Sequence, residues 1–187
     1  MTRITREKAL ELLHQYIKKG NMIHHSLASE AVMKALARQL QQDENKWGIA
    51  GLLHDIDVEI TKADAKTHGQ VAIEILRQHQ IDEDIIEAIS LHNEESAQKP
   101  RSEMFHYALA AGETITGLIM ATTMVYPEKK LIAVKSKSVV KRMKEKAFAA
   151  SVKRETILEC EKIGLPIDEF AEISVNAMKE IAEQIGL

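Results

Sequence analysis

Histidines and carboxylates are the side chains in this sequence best equipped for chemistry, and several of them recur in a telling order. His25 sits in HHSLASEAV, His54 and Asp55 in AGLLHDID, His68 in THGQVAIEIL, His92 in AISLHNE and Glu113 in AAGETITGL. Mixed imidazole and carboxylate donors suit a hard or borderline divalent cation, with Fe, Mn, Co, Zn and Mg all admissible. A lone histidine is more often a satisfied surface or core residue, and His14, His79 and His106 are read that way. The others differ because each is embedded in an apolar helical frame that carries it toward a core.

Those frames must be helices. From Thr5 the apolar positions Ala9, Leu10, Leu12, Leu13, Tyr16 and Ile17 recur at helical spacing, with Gly20-Asn21 as the stop. A second helix is predicted over 24–41, and a third begins at the N-cap Asp43 and runs to His54-Asp55. Neighbours on a helix point about 100° apart, so His54 and Asp55 share one metal centre only against the helix end. The polar stretch 57–66 reads as a loop in which Asp57 and Glu59 are loop caps or acids behind the ligands, with caps preferred. Periodicity resumes from His68 to Leu76, and Asp82 caps a helix that ends near His92-Asn93. The segment 96–102 is a loop, 104–125 a long buried helix stopped by Tyr126-Pro127, and 131–134 a short strand or turn. Two or three amphipathic helices follow, broken near Gly164-Leu165-Pro166. The expected class is all-α, with a metal-binding helical domain over 1–127 and a helical extension over 128–187 packed on it as one unit.

Composition agrees. Of 187 residues 45% are apolar, 28% charged and 4% aromatic, with only 8 glycines and 3 prolines, which argues against a turn-rich sandwich or barrel. The single cysteine, Cys160, excludes an internal disulfide and any cysteine-based metal knuckle. No run of 18 apolar residues suggests a membrane span, and the opening MTRITREKALELL is charged and amphipathic, unlike a signal peptide. A cytoplasmic location is expected. The net charge of −3 and the scarcity of aromatics disfavour nucleic-acid binding, although residues 128–155 hold ten Lys or Arg against three acids.

The series HSLASEAV, LLHDID, HGQVAIEIL and ISLHNE resembles the H…HD…H…H…D signature of the HD-domain superfamily, most closely its HDIG-type predicted hydrolases. ETITGLIMATTMVYP and KSVVKRMKEKAFAASVKRE extend the likeness to HD hydrolases of about this length. The resemblance implies a compact helical fold, one or two divalent metal ions, and hydrolysis of a phosphomonoester or phosphodiester, a nucleotide or another small phosphorylated metabolite. It makes His25, rather than His24, a ligand of the principal metal together with His54 and Asp55. Glu113 falls where the family has its final Asp, one methylene longer. His68 and His92 match positions that hold a second metal bridged by Asp55, or that meet substrate phosphate in single-metal members, which makes Asp55, His68 and His92 the catalytic set. Asn93 stands where several two-metal subgroups have histidine, and Asp57 where the motif has glycine.

A divalent ion lowers the pKa of water and neutralises phosphoryl charge, so no serine or cysteine nucleophile is required. The rest of the phosphate calls for cations, and Lys62, Lys66, Lys135 and Lys137 are the candidates. The competing reading is a metal- or nucleotide-sensing module of the same fold without catalysis. The oligomeric state stays open.

Overall fold

The computed structural model describes residues 4–187, so the first three residues of the amphipathic opening lie outside it. Among the described residues there is no strand, and no helix is long and apolar enough to cross a membrane. The chain begins with α1 (Arg6–Tyr16), whose N-cap Thr5 accepts from the Lys8 N–H. It ends at Ile17, which is already extended, so the stop expected at Gly20-Asn21 lies elsewhere. Gly20 is instead the first residue of α2 (Gly20–Gln39). The Lys18 and Lys19 N–H groups leading into α2 donate to Glu59 Oε1 at 2.9 and 2.8 Å. A carboxylate from another segment thus satisfies donors at the helix start and complements its dipole. Local pattern contains no trace of this, and the consequence is that His25 lies inside the helix.

Asp43 caps α3 (Glu44–Leu53) as expected, accepting from the Lys46 N–H at 3.0 Å. α2 and α3 are the most intimately packed pair, and Gly51 is the reason. A Cβ there would sit 2.6 Å from the Ser29 carbonyl oxygen of α2, so only glycine permits this approach. The stretch expected as loop contains a single turn, α4 (Val58–Thr61), closed by Lys62 and Ala63 in left-handed conformation. Next come α5 (Gln70–Gln78), α6 (Glu83–His92) and the short α7 (Glu94–Ala97).

The long helix α8 (Met104–Met124) is the spine, carrying fully buried Leu109, Ile115, Leu118 and Ile119. It packs on α2 and α6, and on the elements that follow it in the chain. His106 keeps its structural role: its Nδ1 accepts from the Glu103 N–H at the start of α8. Beyond Pro127, Leu131–Ala133 forms a 3-10 turn, and the strand alternative falls because its bonds run locally, Val134 N–H to Leu131 O at 2.9 Å. Then come α9 (Ser136–Met143), α10 (Arg154–Ile157), a 3-10 stretch over Leu158–Ile163, and α11 (Ile167–Glu180) after the break at Gly164 and Pro166. α11 packs on α2, α8 and α9, and Phe170 and Met178 join one hydrophobic cluster with Leu36, Leu53, Ile89 and Leu118. Each such side chain removed from water contributes about 1.5–3 kcal/mol.

Candidate metal centre

Three helices and the turn before a fourth deliver the histidine and aspartate side chains to one place. His25 comes from the second turn of α2, His54 and Asp55 from the end of α3, and His92 from the last position of α6. His68 stands just before Gly69, whose φ of +91° turns the chain into α5. The helix-end condition on His54 and Asp55 is met, because His54 is the C-cap of α3.

Among the described residues, two triads offer ligand atoms that all lie within 4.8 Å of one another: His25, His54 and Asp55, and Asp55, His68 and His92. In the first, the Nε2 atoms of His25 and His54 are 3.1 Å apart and Asp55 Oδ2 lies 3.6 Å from His25 Nε2. In the second, the Nε2 atoms of His68 and His92 are 3.0 Å apart, with Asp55 Oδ1 at 3.1 and 3.5 Å from them. Asp55 Oδ1 also lies 3.4 Å from His54 Nε2, so the one carboxylate borders both triads. His24 is elsewhere, against Gly186.

The outward faces of the four rings explain why their Nε2 atoms converge. His54 Nδ1 meets the Gly51 carbonyl at 2.8 Å and His92 Nδ1 the Ile89 carbonyl at 2.5 Å. A carbonyl only accepts, so both rings donate from Nδ1 and keep a lone pair on Nε2. Thr116 gives its hydroxyl hydrogen to the Glu113 carbonyl at 2.7 Å, which leaves its oxygen to accept from His25 Nδ1 at 2.9 Å. His68 Nδ1 donates to Asp57 Oδ1 at 2.8 Å. This network assigns the Nδ1–H form to His25, His54 and His92, and to His68 whenever that ring is neutral. Two lone-pair nitrogens 3.1 Å apart, as in His25 and His54, repel unless a cation lies between them. Nitrogens about 2.0–2.1 Å from one ion and at right angles around it are about 3 Å apart, so the donor set fits a divalent metal.

Charge follows the same logic. Burial pushes the fully enclosed His54 down to about 3, so the ring is neutral, as a metal ligand must be. Burial alone would raise Asp55, but His54, His68, His92 and His25 hold it well below the usual carboxylate range. Burial would likewise lower His68, yet its hydrogen bonds to Asp55 and Asp57 push it up to about 10. In the metal-free protein His68 is thus an imidazolium between two carboxylates, holding on Nε2 the proton that a metal would displace.

Asp57 is fully buried, and besides His68 it accepts the Gly69 and Ala72 N–H groups at 2.8 and 2.9 Å. It is both alternatives at once, the cap of α5 and the acid behind a ligand. Glu59 is a cap only, for α2. Glu113 borders the first triad, its Oε2 3.8 Å from His25 Nε2, and burial raises its pKa. Asn93 supports the centre from outside, donating to the Ala65 and His68 carbonyls at 2.8 and 3.0 Å.

His25, Asp55, His68 and His92 line a cavity of about 590 Å³, to which residues between 151 and 159 also contribute, while His54 is buried behind it. The structure does not bring Lys62, Lys66, Lys135 or Lys137 to its lining. Lys62 is the left-handed cap of α4, and Lys66 sits in a tight turn on Asp64, so this loop presents Ala63 and Ala65 instead. Lys135 and Lys137 belong to the start of α9, where the Lys135 N–H donates to the Tyr126 hydroxyl at 3.3 Å. The cations that do line the cavity are Arg101 and Lys153. Lys153 stood in the basic stretch without a mark of its own, and nothing local distinguished Arg101.

Comparison with known proteins agrees with this geometry. The family model described as HD domain matches residues 22–152. The chain is 32% identical over 97 residues to proteins named Ribonuclease Y from two strains of Nitratidesulfovibrio vulgaris, DP4 and Hildenborough. The match takes in 52% of this chain but only 18% of each relative's length. No solved structure matches. With the family model covering most of its length and the histidine–aspartate series gathered into one centre, this chain belongs to the HD domain family, within a superfamily of metal-dependent hydrolases.

Proposed function

We propose that this chain is a phosphohydrolase that cleaves the phosphoester of a small phosphorylated molecule, with one divalent ion held by His25, His54 and Asp55 and another by Asp55, His68 and His92. The observation that carries this reading is the sharing of Asp55 by two ligand triads, four of whose five residues line one cavity. Ions held there would supply water activated at neutral pH and positive charge against the phosphoryl oxygens. The protein's part is to fix the ligands. Gly51, Ile89 and Thr116 lock three of the imidazoles, and Asp57 locks His68. Glu113, with its pKa raised by burial, is placed to hold or release a proton at the edge of the first triad.

The test is elemental analysis of protein purified without chelator, for the wild type and Asp55→Ala. The expected result is two equivalents of Fe, Mn, Co or Zn in the wild type and loss of both in the variant, with phosphate released from esters only by the wild type. One equivalent would leave a single-ion centre. Absence of metal even after reloading with Mn²⁺ would end the hydrolase reading. Full metal content without hydrolysis of any ester would favour the sensing module. A phosphodiester is the second reading, favoured by the name of the Ribonuclease Y relatives.

A further inference from the structure

The cavity above the metal centre carries its own record of what it accepts, in the polar groups that the fold has left unused. Arg101, although it lines the cavity, is fully engaged. Its Nε and Nη2 grip Glu159 at 2.7 and 3.1 Å, and its Nη1 donates to the Leu91 and His92 carbonyls at 2.8 and 3.2 Å. Glu94 is committed too, accepting the Arg101 N–H at 2.8 Å and lying 3.2 Å from its Nη2. Asn93 is spent on backbone carbonyls. The lining side chains that make no hydrogen bond or ion pair within the chain include Lys153, Ser151, Glu95 and Glu155.

With the Thr156 hydroxyl, which also has no partner, that remainder is one cation, two hydroxyls and two carboxylates. Ser151, Lys153 and Glu155 belong to a segment that Arg154 ties together, donating to the Ala149 and Val152 carbonyls at 2.8 and 2.6 Å and to Phe148 O, while Glu95 comes from α7. Among the described lining residues Lys153 is the one lysine or arginine without a partner, and it is available to phosphate oxygens turned away from the metal ligands. Ionised Glu95 and Glu155 can only accept hydrogen bonds, so they ask for O–H or N–H donors and repel further phosphates. What the lining lacks is equally informative. Among the described residues that form it there is no Phe, Tyr or Trp, and its carbon surface is supplied by small groups such as Ala63, Ala65 and Val152. A nucleobase would find no ring to stack on except the imidazoles of His25, His68 and His92, whose Nε2 atoms are given to the metal triads.

From this we infer that the preferred substrate is a monophosphate ester of a polyol or amino-polyol, a sugar-phosphate type of molecule, and not a nucleotide. A volume of about 590 Å³ accommodates a molecule of that size. This inference rests on the phosphohydrolase reading for the phosphate end, and adds the chemistry of the remainder.

The experiment is calorimetric titration of the Mn²⁺-loaded full-length chain with glucitol 6-phosphate, AMP and inorganic phosphate, alongside an assay of phosphate release. Glucitol 6-phosphate should bind at least about tenfold tighter than inorganic phosphate, as hydrogen bonds to charged groups allow, while AMP gains no more than about threefold. The double variant Glu95→Gln/Glu155→Gln, checked for unchanged metal content, should erase most of the polyol advantage. Lys153→Ala should weaken all three ligands about tenfold, with recovery in Lys153→Arg. Tighter binding of AMP than of glucitol 6-phosphate, no binding of the polyol ester, or a double variant that binds it like the wild type would each overturn the inference. Phosphate release judges the underlying reading separately. Binding of the polyol ester without release would remove the hydrolase and keep the recognition. Release from AMP alone would keep the hydrolase and discard the polyol.

Discussion

Asp57→Asn and Asp57→Ala should fail in different ways, and the difference tests the account of the metal centre. The native carboxylate divides its work: Oδ2 accepts the Gly69 and Ala72 N–H groups, and Oδ1 accepts from His68 Nδ1. Alanine abolishes both roles. It strands two buried backbone donors at the start of α5, each costing about 1–3 kcal/mol, for a total of about 2–6 kcal/mol. That is a large fraction of the roughly 5–15 kcal/mol that holds a domain folded. Asparagine can keep its carbonyl oxygen on the two N–H groups, so the fold should survive with little loss. Its amide then points a donor at His68 Nδ1. The ring must give up the Nδ1 hydrogen and place it on Nε2, the atom facing Asp55 and His92. A nitrogen carrying hydrogen cannot ligate. Affinity at the Asp55/His68/His92 triad should therefore fall about 10–100-fold, the usual effect of losing a group that orients a ligand. The His25/His54/Asp55 triad should keep its ion. The assay is competitive Mn²⁺ titration against a chelator, with thermal unfolding as the measure of stability. Two ions bound at wild-type affinity in a well-folded Asp57→Asn protein would refute the tautomer argument.

Two further outcomes follow from the same geometry. Gly51→Ala puts a Cβ 2.6 Å from the Ser29 carbonyl oxygen and forces α2 and α3 apart, so it should cost about 1–3 kcal/mol and weaken metal binding at His25 and His54. Wild-type unfolding temperature and affinity in that variant would show that the close approach is unnecessary. The pH dependence of chelator-stripped protein reports on His68. Its pKa is pushed up to about 10 from an ordinary value near 6.5, so its contribution is full below about 6.5 and is lost as pH rises through about 10. Urea unfolding midpoints at pH 6.5 and 9.5 should therefore differ more in the wild type than in His68→Gln, and equal differences would contradict the buried ion pair.

Much of this was legible in the residue order. The helix formers, the Asp43 cap, the Pro127 stop and the break at Gly164 and Pro166 are local signals, governed by backbone preferences that act over one turn. The ordered series His25, His54, Asp55, His68 and His92 was legible too, because metal chemistry restricts ligands to few residue types. What lay out of reach were relations between distant segments. The beginning of α2 depends on Glu59, and a capping carboxylate 40 residues away leaves no periodic mark near Gly20. By its place in the sequence Asp57 reads first as a loop cap, and its tie to His68 exists only because the chain between α3 and α5 brings residues 57 and 68 together. The lysines fared worst for the same reason. Charge can be counted along a chain, but whether an ammonium group reaches a cavity depends on which wall its backbone joins. Lys62, Lys66, Lys135 and Lys137 lie off that lining, while Lys153 is part of it, beside an Arg154 bonded to the Ala149 and Val152 carbonyls. Sequence by itself determined the ligand types and the helices that carry them, since both rest on short-range chemistry. Tertiary packing alone decided how those helices meet, which nitrogen of each imidazole faces inward, and which charges remain free to meet a substrate.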